Sequence, residues 1–465
     1  MPSSSSSSSS NFKVIIIGGG PVGLTAAHAL HRANIDFTLL ESRSSVVLDE
    51  GSNLVLLPIG LRLLGQLGLL DALNSVSSPL GKITRVDHSG NNIGDVNFFV
   101  RFEENHGIPP RVIARHDLTQ VLYDTLPATA QAKLLPNQRV ASIATTPEGV
   151  TVRCRDGAEH TGSIIIGADG AHSLVRSEMR ALALAAASSS SSSSPDINPA
   201  QPFLTTYRAM WVRFPTSAAR GDLRPGDAGE THGVGCAVQL FAGEETSVLG
   251  AYERLPAPTA DRLRFGSGDQ DAFVEKWGHL PLLPPAGDDN KKGMTLGDAY
   301  AARVSSGLVS LEEGVVPKWS FGPVVLVGDA AHKFTPSTGA GCNNGMVDVA
   351  VLVSEIKRVL ERAEGSPSRE AIGAAFERYQ DRRFAAVVKG CQGAGQATAA
   401  ATWKNGVVRF VDLHVMARRA VQNMLMDRAA GDIARTPVLE FIEGVGMKGG
   451  RVPWVESGVG KAVEA

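Results

Sequence analysis

Val14-Ile15-Ile16-Ile17-Gly18-Gly19-Gly20-Pro21-Val22-Gly23 is the stretch on which the fold turns. Its run of Val and Ile predicts a strand buried on both faces, as in a parallel sheet. Gly18, Gly20 and Gly23 then fit G-x-G-x-x-G, and Leu24 to Arg32 reads as a helix. Phe37-Thr38-Leu39-Leu40 predicts a second strand that ends at Glu41. Together these make a βαβ unit. Its glycines allow a tight turn and let backbone N–H groups approach a pyrophosphate, while the helix N-terminus adds a favourable dipole. A carboxylate at the end of the second strand can accept hydrogen bonds from an adenosine ribose. A bare G-x-G-x-x-G also closes ordinary strand–helix corners. Here strand, helix, spacing and acid agree, and the segment predicts a dinucleotide site.

Around it lies a chain of 465 residues, long enough for two or three domains. It is 43% hydrophobic and 20% charged with a formal net charge of −2, so no basic surplus points to nucleic acid. Cys154, Cys236, Cys342 and Cys391 lie far apart with no C-x-x-C. That spacing argues against a zinc site or a disulfide framework and suits a reducing compartment, so the expectation is a cytoplasmic protein without a metal. Met1 to Asn11 is mostly serine and lacks the basic and apolar regions of a secretory signal. No stretch predicts a membrane span. Val407 to Met426 carries Arg409, Asp412, Arg418 and Arg419. It reads as an amphipathic helix that packs on its own domain or lies at a membrane interface.

Two further stretches repeat the opening pattern of an apolar strand running into a Gly-rich corner. They are Ser163-Ile164-Ile165-Ile166-Gly167-Ala168-Asp169-Gly170 and Val324-Val325-Leu326-Val327-Gly328-Asp329. Such corners place ligand-binding groups at the carboxyl edge of a parallel sheet. Phe203 to Phe214, Gly235 to Phe241, Thr246 to Arg254, Ile83 to His88 and Ile93 to Phe102 read as strands of a second, antiparallel sheet. Asp298 to Glu312 and the tail from Glu370 read as helical, and Leu280 to Gly287 as a loop. The serine runs Ser3 to Ser10 and Ser188 to Ser194 are expected to be flexible.

Three motifs in this order resemble the FAD-dependent monooxygenases of the aromatic-hydroxylase type, whose fold was first described for p-hydroxybenzoate hydroxylase. The resemblance runs from Asn11 to Arg383. It rests on Gly18 to Gly23 with Glu41, on Arg115 and Leu118 in R-x-x-L, on Gly167-Ala168-Asp169-Gly170 with Ser173 and Arg176, and on Gly328-Asp329-Ala330-Ala331-His332 followed by Pro336 and Gly339-Ala340-Gly341-Cys342-Asn343. Leu40-Glu41, Asp49-Glu50-Gly51, Tyr207-Arg208 and Ser310-Leu311-Glu312-Glu313-Gly314 are most similar to the fungal enzymes that epoxidise or hydroxylate indole-diterpene, meroterpenoid and polyketide metabolites. Ala340, where relatives often carry Gln, and Cys342, where Ala or Gly is common, depart from the pattern.

The resemblance implies an α/β fold: a Rossmann-type FAD-binding domain (11–80, 113–178 and 318–390), an inserted antiparallel sheet domain for substrate (81–112 and 196–317) and a C-terminal helical region (391–465). A serine-rich tail (1–10) and a flexible loop (179–195) complete the expected organisation. Gly18, Gly20, Gly23, Glu41, Gly51, Arg115, Asp169, Asp329, Gly339, Gly341 and Cys342 are the implied cofactor-binding residues. Arg115 would pair with the pyrophosphate, and Asp329 would meet the ribityl chain or cap a helix. Backbone N–H groups in Pro336 to Asn343, a loop expected to feed a helix at Asn344, would face the flavin pyrimidine. Asp169 and Arg176 are expected to touch each other, and His332 to be structural. Two readings of Tyr207 stand: a catalytic phenol that orients substrate or donates a proton, or a half-buried strand tyrosine. Arg208 and Arg213 are weaker candidates.

The implied activity is that of an FAD-dependent monooxygenase taking electrons from NADPH or NADH and oxygen from O2 through a C4a-hydroperoxyflavin. It would epoxidise or hydroxylate a small molecule in secondary metabolism. A flavin dehydrogenase without oxygen insertion is the alternative. Phe203, Met210, Trp211, Val212, Phe214 and Leu240 suggest a hydrophobic substrate.

Overall fold

The computed structural model describes residues 12–49, 51–147, 149–188, 197–219, 223–283, 293–443, 447 and 449–455. The first serine run and all of the second except Ser188 lie outside these residues.

Lys13–Ile17 runs parallel between Asp36–Leu40 and Ile164–Gly167 in a six-stranded sheet, and Val324–Leu326 extends it in parallel beyond Ile164–Gly167. Leu134–Leu135 and Ser320–Phe321 form its two edges. The core strands are apolar because both faces are covered, one by the Pro21–Arg32 helix and the other by the small antiparallel sheet of Val140–Thr146, Gly149–Cys154 and Glu159–Gly162, and Val14, Ile15 and Ile16 are fully buried. Register decides where the corners fall. Ile17 lies opposite both Leu40 and Gly167, and Gly167 lies opposite Leu326. The three Gly-rich corners and Glu41 therefore leave the sheet at one level, on one edge.

The second sheet has seven strands in the order His332–Lys333, Ser305–Val315, Leu204–Pro215, Thr246–Thr259, Cys236–Ala242, Ala228–His232, Ile83–Asp87. Its two faces differ. Met210, Val212, Phe214, Val238, Leu240, Leu249 and Ala251 pack against the helices Ser267–Trp277 and Leu296–Ala301. Tyr207, Trp211, Arg213, Gln239 and Tyr252 alternate with them onto the other face.

Four elements depart from the expected pattern. Only Leu296–Ala301 of the expected Asp298–Glu312 helix forms, and Ser305–Val315 is a strand that pairs with Leu204–Pro215. Cross-strand pairing overrides a weak local preference there. Ile93 to Phe102 contributes isolated bridges at Asn92 and Val96 and then a helix, Phe98–His106, whose Arg101 bonds Asp427 of the Arg419–Ala434 helix. The Leu174–Ser188 helix runs into the segment expected to be flexible from residue 179; its alanines favour helix and Met179 and Ala183 are buried. Val407 to Met426 is not one helix. A π-helical turn at Asp412–Met416 separates Gly406–Val411 from Arg419–Ala434.

Candidate active site

The sheet edge is built from close backbone approaches. Gly18 has φ +108°, and a Cβ there would stand 2.5 Å from Ala168 O. A Cβ on Gly23 would stand 1.9 Å from Gly18 O, so only glycine lets the helix start this close to the strand. Glu41 is 4% exposed. Its Oε2 accepts the Gly19 N–H at 2.7 Å, and its Oε1 accepts the Arg43 N–H at 2.8 Å and Arg43 Nε at 3.0 Å. Burial pushes the Glu41 pKa up, but the Arg43 hydrogen bonds outweigh it and hold the group below its usual range as a carboxylate.

Arg115, the first residue of the Arg115–Asp124 helix, reaches into this edge from far along the chain. A Cβ on Gly20 would lie 3.5 Å from its Nη2, and one on Gly51 3.2 Å from its Cδ. No hydrogen-bond partner of its guanidinium is found among the described residues, and the residue is exposed. Asp329 lies deep in the molecule, yet 38% of its side-chain surface is open. A group that is deep but reachable borders an internal cleft. Its Oδ2 pairs with Lys333 Nζ at 3.0 Å, while Oδ1 lies 3.8 Å from where a Gly341 Cβ would stand. Burial raises the Asp329 pKa, but Lys333 prevails and keeps it low, helped by His332 and Arg115. Burial pushes the Cys342 thiol up to about 12, against a smaller opposite pull from Arg115. It is a neutral thiol, not a nucleophile.

Gly339, at φ +63°, turns the chain from a Pro336–Thr338 3₁₀ turn into the Ala340–Arg362 helix. The helix starts at Ala340, earlier than the sequence suggested, so Gly341 and Cys342 lie in its first turn, where N–H groups have no intrahelical partner. Asn343 holds this corner. Its Oδ1 accepts Leu57 N–H at 2.9 Å, and its Nδ2 donates to Val55 O and Gly339 O, each at 2.8 Å. Beneath it, buried Asp348 accepts from His332 Nε2 at 2.5 Å, Arg383 Nε at 2.8 Å and Gly328 N–H at 3.1 Å. His332 is thus committed to a structural triad. Asp169 caps the Leu174–Ser188 helix, accepting from Ser173 Oγ at 2.5 Å and Val175 N–H at 3.0 Å. The expected Asp169–Arg176 contact is replaced. Arg176 donates to Ala171 O at 2.7 Å and Ala330 O at 2.9 Å, joining two of the corners.

The polar face of the second sheet meets this edge at two points. Arg213 Nη1 and Nη2 donate to Asp49 at 2.5 and 2.9 Å, and Gln239 Nε2 donates to Ser337 O at 3.0 Å. Between these bridges lie Trp211 and, directly across the strands on either side of it, Gly250 and Gly307. Neighbouring Val309 is 43% exposed. The glycines make room for the rings themselves: a Cβ on Gly307 would stand 2.6 Å from Trp211 Nε1, and one on Gly250 2.8 Å from the Tyr252 hydroxyl. Met210, Val212, Phe214 and Leu240, expected to suggest a hydrophobic cavity, instead form the opposite face and carry no information about it. Tyr207 is 3% exposed, its hydroxyl lies 3.4 Å from Thr402 Oγ1, and burial raises its pKa. Arg208 lies on the outer face, bonded to Glu253 at 2.6 Å.

Sequence reasoning assigned none of these contacts to Asn343, Lys333, Asp348, Arg383, Gln239 or Trp211. Asn343 adjoins the glycine motif and Trp211 stands among the apolar strand residues, so both carry a signal. The others act through partners distant in sequence.

The groups present fit FAD: N–H groups at two helix starts, an arginine between them with no guanidinium partner among the described residues, and carboxylates at both ends of the edge. A family described as the FAD binding domain matches residues 11–239 and 306–384. The FAD-dependent monooxygenase srdH of Neurospora crassa is 33% identical, covering 94% of this chain and 97% of that protein. The FAD-dependent monooxygenase penE of Penicillium thymicola is 30% identical, covering 85% of this chain and 81% of that one. Among solved structures, HpxO of Klebsiella pneumoniae, complexed with FAD and uric acid, superimposes with a TM-score of 0.69 at 20% identity, covering 92% of this chain and 98% of its own. A salicylate hydroxylase substrate complex gives 0.67 at 20% identity, covering 93% of this chain and 100% of its own.

Proposed function

Since the chain belongs to the FAD-binding family of flavin-dependent monooxygenases, we propose that its sheet edge grips FAD while the Trp211 face receives substrate. It is an FAD-dependent monooxygenase that uses NAD(P)H and O2 on a small molecule. Bound FAD supplies hydride acceptance and oxygen activation. The protein's own groups bind and orient. Arg115 and the N–H groups of Gly20 and Val22 hold the pyrophosphate, and Glu41 takes the adenosine ribose, sharing its carboxylate with Arg43 and the Gly19 N–H. Asp329 takes a ribityl hydroxyl on the oxygen that Lys333 leaves free. Gly341 and Cys342 present backbone N–H groups to the pyrimidine edge, where they stabilise negative charge, while Gly339, whose N–H donates to Pro336 O at 2.8 Å, supplies the turn that places them. Gly51 gives Arg115 room, and Asp169 braces the corner through its helix cap. Tyr207 serves as a wall residue behind the cavity, with its hydroxyl held at Thr402.

The observation that carries this reading is the convergence of Gly20, Arg115, Asp329 and Gly341, four residues from three distant segments, on one cleft. The substrate proposed is a hydrophobic molecule of secondary metabolism whose ring system lies on Trp211. The test is to isolate the yellow protein, count FAD, and screen candidate substrates for stimulated NADPH consumption with 18O2. One labelled oxygen per product supports the reading. NADPH oxidation with no label in any product would instead favour a dehydrogenase.

The C-terminal segment supports a second proposal, contact with an anionic membrane surface. Val407, Phe410 and Met424 are 75%, 60% and 61% exposed, with Arg409, Arg418, Arg419 and Arg428 exposed among them. No helix among the described residues is long and apolar enough to cross a bilayer. Cosedimentation with phosphatidylserine vesicles, lost in Phe410→Ser, is the expected result.

A further inference from the structure

We propose that Gln239 is a positioning residue that locks the Pro336–Thr338 turn to a buried charge cluster, and that Asp412 of the C-terminal segment anchors the far end. The proposal rests on the reading that Gly341 and Cys342, which follow this turn, face the flavin.

The amide of Gln239 has only one workable orientation. Its Nε2 lies 2.8 Å from Glu230 Oε1 and 3.0 Å from Ser337 O. A carboxylate and a carbonyl can only accept, so both amide hydrogens are committed. Its Oε1 therefore faces Tyr252, whose hydroxyl donates to it at 2.9 Å. Glu230 Oε2 lies 3.0 Å from His232 Nε2, and His232 Nδ1 lies 2.8 Å from Asp412 Oδ2. Arg85 pairs with the other Asp412 oxygen, and Trp403 Nε1 donates to Oδ2 at 2.9 Å. With a carboxylate at each ring nitrogen, His232 makes both bonds only as an imidazolium. Arg85 and His232 then face Glu230 and Asp412, two cations against two anions, and the buried cluster is neutral.

The links span several elements. Glu230 and His232 come from the Ala228–His232 strand, Arg85 from the Ile83–Asp87 edge strand on one side of it and Gln239 from Cys236–Ala242 on the other. Asp412 comes from the π-helical turn that interrupts the C-terminal segment. The inward pull on Asp412 coincides with that interruption. The chain of bonds runs from Asp412 to Ser337 O without a gap, and Gly339 and Gly341 follow Ser337 directly. A second hold on the turn, Ser337 Oγ to Thr398 Oγ1 at 2.6 Å, comes from the Arg369–Ala401 helix. Loss of Gln239 therefore displaces the turn without freeing it.

The experiment uses the FAD-loaded full chain with Gln239→Met, Gln239→Glu, Asp412→Asn and a Gly341→Ala control. Gln239→Met keeps the volume and removes all three hydrogen bonds. It should keep FAD, shift the visible flavin absorption, and lower product per NADPH by about tenfold, with peroxide taking up the difference. That is well inside the roughly 100-fold that a 1 Å misplacement can cost. Gln239→Glu faces Glu230 and Tyr252 directly, with His232, Asp412 and Arg85 behind them. It should behave like Gln239→Met at neutral pH and recover partly as the pH falls, when its carboxyl gains a donor. Asp412→Asn should reproduce the spectral shift at smaller amplitude. A Gln239→Met holoenzyme with wild-type spectrum and coupling overturns the proposal, as does an Asp412→Asn protein altered only in melting temperature. If the Gly341→Ala spectrum is also unchanged, the reading of the turn fails and takes the proposal with it. If the Gly341→Ala spectrum moves while the Gln239 variants are silent, that reading stands and the Gln239 proposal alone falls.

Discussion

The edge of the parallel sheet, proposed to hold FAD, and the polar face of the antiparallel sheet, proposed to receive substrate, are assembled in opposite ways. At the edge, each corner is a strand and its own following turn, so most contacts lie within a few residues of a glycine. Register then lines the corners up, with Ile17 opposite Gly167 and Gly167 opposite Leu326. On the antiparallel sheet, no local motif marks the face. The Trp211 ring finds its place over Gly307 of the neighbouring strand, and Gln239 takes its hydrogen bonds from Glu230, Tyr252 and Ser337.

Asp348→Ala should have the largest effect, because it strips the edge of its foundation. It leaves the buried Arg383 without its carboxylate, held only by Asn344, and His332 Nε2 without its partner, at a cost of about 3–5 kcal/mol, read as a drop in denaturant midpoint. The same residue sets an acid limit. Burial raises its pKa, but His332 and Arg383 hold it at about 2 against 3.8 for the free group. Its folded pKa is depressed, so its stabilisation is complete above pH 3.8 and is lost as the pH falls towards 2. An acid-unfolding curve of wild type against Asp348→Ala should converge in that window.

Arg115→Ala comes next and should separate the two regions cleanly. Loss of a charge-assisted hydrogen bond costs about 1.5–3 kcal/mol, or roughly 10- to 150-fold in FAD dissociation constant. Because no protein partner of the guanidinium is found among the described residues, the melting temperature of the apoprotein should not move. A destabilised apoprotein with unaltered FAD affinity would place Arg115 in the scaffold instead.

Gly250→Val addresses the other region. A Cβ at residue 250 would stand 2.8 Å from the Tyr252 hydroxyl, so the ring must shift. Overpacking costs about 1–3 kcal/mol, and substrate turnover should fall about tenfold while FAD content holds. Loss of FAD together with turnover would show that the two surfaces are not separable. Tyr207→Phe should be the mildest change. The hydroxyl has only a long contact to Thr402, so product formation should stay within a few-fold of wild type. A fall of about 100-fold or more would make Tyr207 a proton donor after all.

Much of the edge is legible in the sequence because glycine, strand and carboxylate stand next to one another along the chain. Gly18, Gly23 and Glu41 announce themselves, and Arg115 and Asp329 follow from motif order. What is not legible depends on distant partners. Ser305–Val315 reads as helical in isolation, and becomes a strand because the free side of Leu204–Pro215 offers it a ladder. Asp412 reads as one of several charges on an amphipathic helix, and is buried because Arg85 and His232 draw it inward.

By itself, then, the sequence determined that this chain carries a dinucleotide-binding edge, because a G-x-G-x-x-G turn between a buried strand and a helix constrains backbone atoms a few residues apart. Tertiary structure alone decided which face of the second sheet points at that edge. Alternation along a strand puts half of the side chains on each face but does not say which half meets the core. Here the helices Ser267–Trp277 and Leu296–Ala301 claimed the apolar half, and the bridges Arg213–Asp49 and Gln239–Ser337 turned the polar half towards the edge.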